Sequence, residues 1–127
     1  MNRYLKRILT FKLRRRRRYR VKHGAYVMLS NIPGKYQIDD IGFGGLSFHC
    51  VDNGLKPYPT HQDMRIIAAN QSQTVNIVGK VVAESETGEL IFEKKTIKRR
   101  CIQFDRLNSQ NKKALQNFIK NNMDTSL

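Results

Sequence analysis

The chain has no tryptophan, two cysteines and three prolines in 127 residues, and no apolar run approaching the roughly 20 residues of a membrane-spanning helix. Cys50 and Cys101 are far apart and lack a Cys-x-x-Cys spacing. That excludes a disulfide framework and predicts two buried, reduced thiols. The apolar residues between Tyr4 and Phe11 are interrupted by charge and lead into five arginines instead of a cleavage site, so no secretory signal is read and a cytoplasmic location is expected. Acidic residues are missing altogether from the first 22 positions. Catalytic constellations are missing too: His23, His49 and His61 stand in unrelated contexts, and no Ser/His/Asp set, carboxylate pair or phosphate loop can be assembled. His49 and Cys50, adjacent in an extended stretch, face opposite ways and do not share a metal. Neither an enzyme, a metal site nor a cofactor is expected.

What is present is charge, unevenly placed. Of 24 lysines and arginines, eleven lie in residues 1–22, while the rest of the chain carries thirteen against all ten acids. The body is nearly balanced and the arm carries the field, which draws phosphate ligands, nucleic acid or an acidic membrane surface. Within the arm, Tyr4, Leu5, Ile8, Leu9 and Phe11 recur at helical spacing, a stripe that docks on the domain or on a membrane.

From Val21 the period becomes that of strands. Tyr26–Leu29 and the stretch with Tyr36 and Ile38 flank a turn at 31–34, and Leu46–Val51 alternates apolar and polar residues before a loop with Asn53-Gly54 and two prolines. Met64–Ala69, Val75–Ala83, Leu90–Phe92 and Ile97–Leu107 give further strands. Asn108-Ser109 offers a helix cap, and Leu115, Phe118 and Ile119 predict one helix over 109–123 packed on the sheet. The length suits one domain, divided here into an arm at 1–13 and a body at 14–127. The expected fold is mainly β: a small antiparallel barrel of six or seven strands with a flexible basic arm and one C-terminal helix.

Two stretches carry the chemistry: Arg14-Arg15-Arg16-Arg17-Arg18-Tyr19-Arg20 and Asp40-Ile41-Gly42-Phe43-Gly44-Gly45. Together they resemble the PilZ family, whose signature is an RRxxxR arm followed by a D/NxSxxG turn between strands. Arg15, Arg16 and Arg20 fill the first half; Asp40, Gly42 and Gly45 fill the second, with glycine at the family's serine position. The resemblance implies a sensor of cyclic di-GMP, with these six residues at the ligand. Arginine suits that ligand, because a guanidinium pairs bidentately with phosphate, bonds guanine O6 and N7, or stacks on the base. Asp40 would accept from guanine N1 and N2, and glycines at 42, 44 and 45 would permit close backbone approach or positive φ. Arg15 stands where family members that take an intercalated nucleotide dimer carry an arginine. The expected mechanism is a switch in which the arm folds over the barrel and alters contact with an unknown protein partner. Two other readings remain: a small barrel that binds nucleic acid through its basic arm, and a degenerate PilZ adaptor that has lost its nucleotide.

Overall fold

The computed structural model describes residues 17–30, 32–52, 61–90 and 95–124. Seven strands and one helix follow in order: β1 (Tyr19–Arg20), β2 (Tyr26–Leu29), β3 (Ile32–Ile41), β4 (Gly45–Val51), β5 (Gln62–Ile67), β6 (Thr74–Leu90), β7 (Lys95–Phe104) and α1 (Ser109–Asn122). All pairings are antiparallel, and β3 closes the circle β3-β2-β5-β6-β7-β4 by pairing with β4. Six strands therefore make a closed barrel, and β1 is an added strand on β3. Closure removes the free edges that a small sheet would expose.

Period-two alternation fills the barrel. Val27, Ile38, Leu46, Phe48, Ile66, Val75, Ile77 and Ile102 point inward and are almost wholly buried, and Leu115, Phe118 and Ile119 of α1 complete the same core. Asn108 caps the helix as the sequence predicts: its side chain accepts from the amide of Asn111 at 2.7 Å. At the other end, buried Asn122 donates to the carbonyl of Phe118 and accepts from the amide of Ala69. Both cysteines are free; Cys50 is buried and Cys101 half-buried.

Several boundaries differ from the sequence reading, β5 among them, which runs Gln62–Ile67 and not Met64–Ala69. β3 begins at Ile32, paired with Leu29, so Pro33 and Gly34 belong to the strand and not to a turn, with Gly34 taking φ +110°. β6 does not stop near Ala83 but continues through Glu84–Gly88, where the chain is polar and largely exposed. No buried face is required there, because this part is one side of a two-stranded ribbon in which Glu84 faces Arg100 and Glu86 faces Lys98. β7 starts two residues before Ile97 and ends at Phe104, three short of Leu107. The expected loop at 53–60, and the residues just beyond Leu90, lie outside the described residues.

The ribbon's inward face carries charge. Lys98 Nζ bridges Glu84 at 2.7 Å and Asp52 at 3.1 Å, and Arg100 stands beside Glu84. The hydrogen bond from Lys98 holds the Glu84 carboxyl below its ordinary pKa, and the bonds to Glu84 and Asp52 push Lys98 up. Burial raises the nearby Tyr36 hydroxyl and Cys50 thiol, and Tyr36 packs its ring against Phe48 at 4.9 Å.

Candidate ligand site on the outer barrel face

Adjacent residues of a strand ordinarily face opposite sides, yet both Asp39 and Asp40 make outward contacts. A register shift between Ile38 and Asp40 explains this: β3 sets one extra residue against β4, and the bulge turns both carboxylates outward. The C-terminal half of β3 is flanked by β1 and β4, so the arm and the motif strand are hydrogen-bonded neighbours. Cross-strand register then aligns Arg20 of β1, Asp40 of β3, Ser47 of β4 and Cys101 of β7 in one row.

The polar groups of this face are joined. Asp40 Oδ1 takes a bond from Arg18 Nη1 at 3.2 Å, while its Oδ2 takes one from Arg99 Nη2 at 3.1 Å. The same Arg99 nitrogen donates to Ser47 Oγ at 3.1 Å. Asp39 pairs with His49 Nδ1. Beside them lies a groove of about 510 Å3 lined by Arg20, His23, Asp39, Asp40, His49 and Asp124. The Arg20 side chain is exposed and has no bonding partner among the described residues. On the arm's other side, Arg17, Tyr19, Phe43, Leu107 and Lys112 line a second groove of about 770 Å3, with the Arg17 guanidinium 5.2 Å from the Tyr19 ring centre. Strand alternation thus sends Arg20 to one groove and Tyr19 to the other.

The two motif glycines are required by space. A Cβ on Gly42 would fall under 3.0 Å from the carbonyl oxygen of Arg17, and one on Gly45 under 3.0 Å from that of Ile102. Neither residue, nor Gly44, has positive φ, which corrects that part of the sequence reading; among the described glycines only Gly24 and Gly34 do. Gly42 accepts the arm, and Gly45 lets β4 approach β7. The turn between them is closed by the Gly42 amide on the Gly45 carbonyl at 2.9 Å, and the Gly44 carbonyl accepts from Phe104.

Of the six residues expected at the site, Arg20 and Asp40 face each other across β1 and β3, and Gly42 and Gly45 bracket the adjoining turn. Arg15 and Arg16 lie outside the described residues. Sequence reasoning passed over Arg18, treated as a spacer although it shares parity with Arg20, and it missed Arg99 and Ser47. Parity along β7 puts Arg99 on the Cys101 face, but only the register with β4 shows that this face meets Asp40.

No helix among the described residues is long and apolar enough to cross a membrane. No curated protein and no solved structure matches the chain. The sequence profile of the PilZ domain, a family of adaptors and effectors that bind cyclic di-GMP, matches residues 12–121, nearly the whole chain and both motif halves, and on that match the chain belongs to the PilZ domain family.

Proposed function

We propose that this chain is a cyclic di-GMP sensor whose ligand lies in the groove between the arginine arm and the outer faces of β3 and β4. The observation that carries the reading is the register of Arg20 with Asp40: an exposed guanidinium without a bonding partner among the described residues and the motif carboxylate line one groove. Its volume falls within the roughly 300–1,000 Å3 of small-molecule sites. Arg15, Arg16 and Arg20 supply phosphate and guanine contacts from the arm, Asp40 accepts from guanine N1 and N2, and Gly42 and Gly45 shape the turn beneath. The Arg15 position favours two intercalated nucleotides per chain. The protein works as a switch without catalysis: a dianion neutralises the self-repelling arm, fixes it on the barrel and changes the surface offered to a protein partner.

Isothermal titration with cyclic di-GMP at physiological salt tests this, with GTP as control and an Arg16→Ala, Arg20→Ala double variant beside it. Saturable binding that the double variant loses, at two nucleotides per chain, is the expected result. One nucleotide per chain would overturn the dimer, and absence of heat with the unaltered chain would overturn the sensor. Tighter binding to longer oligonucleotides, falling steeply with salt, would point instead to nucleic acid.

A further inference from the structure

Asp40 is gripped from two directions, and the two partners differ in kind. Arg18 reaches it from the added strand's approach, whereas Arg99 reaches it from β7, a central strand of the closed barrel with β4 and β6 on either side. Both bonds of Arg99, to Asp40 and to Ser47, leave from Nη2. Its Nε and Nη1 have no partner among the described residues, and the side chain is 39% exposed. Ser47, by contrast, is fully buried. A guanidinium has five N–H donors in a rigid fork, so one nitrogen anchors this side chain and two remain for a ligand. Anchoring also means that much of the rotamer freedom a binding arginine loses is lost already. The cross-strand neighbour of Arg99 on β4 is His49, and His49 and Asp40 both line the groove next to Arg20.

We propose that Arg99 is a fourth ligand-gripping arginine, fixed on the barrel, which takes a phosphate of the guanine dinucleotide and supplies the anion contact that Gly42, without a hydroxyl, does not. The inference rests on the cyclic di-GMP reading of the groove. It divides the work between an arm that arrives with the ligand and a barrel-borne cation already in place.

The test is titration calorimetry with cyclic di-GMP at two salt concentrations on the unaltered chain, Arg99→Ala, Arg99→Lys, Asp40→Asn, and Arg99→Ala combined with Asp40→Asn, each checked for an unchanged circular dichroism spectrum. Arg99→Ala is expected to weaken binding tenfold or more and to make the dependence of Kd on salt shallower, because one screened ion pair to the dianion is lost. Lysine, which keeps the charge and loses the fork, restores part of the affinity and the salt slope. The loss from Arg99→Ala persists in the Asp40→Asn background. Were Arg99 only a prop for Asp40, that loss would vanish there, and the inference would fall. It falls alone if Arg99→Ala, or Arg99→Lys where the alanine variant misfolds, binds within twofold of the unaltered chain. No binding by the unaltered chain removes the sensor reading along with it.

Discussion

The carbonyl oxygen of Arg17 occupies the space that a side chain on Gly42 would need. Serine at this position, the family's usual residue, therefore cannot be added without moving the arm. Gly42→Ser is expected to loosen the arm in the free protein, so that trypsin cuts after Arg17, Arg18 and Arg20 several times faster than in the unaltered chain. Equal cleavage rates would show that the arm does not rest on Gly42 in solution.

Gly45 faces a harder wall. Its missing Cβ would meet the carbonyl oxygen of Ile102, and that backbone belongs to the strand it pairs with. Gly45→Ala should cost at least the roughly 1–3 kcal/mol of an overpacked core and lower Tm by several degrees. A variant as stable as the parent would mean that β4 and β7 are further apart at this point.

Glu84 gives the fold a dependence on pH. Its carboxyl is held below the ordinary value of 4.5, chiefly by the hydrogen bond from Lys98. A depressed folded-state pKa stabilises the fold above the ordinary value, and that contribution is lost as pH falls through the folded value, because the unfolded chain then binds the proton more readily. Glu84→Gln should melt about 4 °C or less below the parent at pH 7, given the modest worth of partly exposed pairs. The gap should close on acidification below pH 4.5. A gap that stays constant down to pH 3 would refute the assignment.

The two thiols should react unequally. Burial pushes Cys50 above the ordinary thiol pKa, while Cys101 is half-buried on the outer face in the same row as Ser47 and Asp40. Iodoacetamide at pH 7.5 should modify Cys101 well before Cys50, as peptide mass mapping would show, and cyclic di-GMP should slow the reaction at Cys101. Faster modification of Cys50 would contradict the strand facing.

The barrel was legible because its signals are local. Alternation from Val27 through Ile102 marks inward positions, and the stripe of Leu115, Phe118 and Ile119 after Asn108 marks the helix. The Glu84–Gly88 ribbon was not legible: a strand with no buried face has no hydrophobic period to read, and its support comes from partners on β7. At the site, Arg20 and Asp40 were readable from motif order. Arg99 and Ser47 were not, since they reach Asp40 only through a register set by barrel closure and by the bulge at Asp39. The glycines were found for a partly mistaken reason. They make room for neighbouring backbone at ordinary backbone angles.

The end of α1 is tied to the arm. The amide of Lys22 bonds the carbonyl of Asn122 at 2.8 Å, that of Asp124 bonds Arg20 at 2.7 Å, and Val21 bridges Met123 between them. Entry to and exit from the barrel are thus stitched into a single short seam, directly behind the residue that lines the groove. The groove residue Arg20 and the end of α1 therefore share backbone bonds, and any displacement of Arg20 must stretch or break the one that holds Asp124.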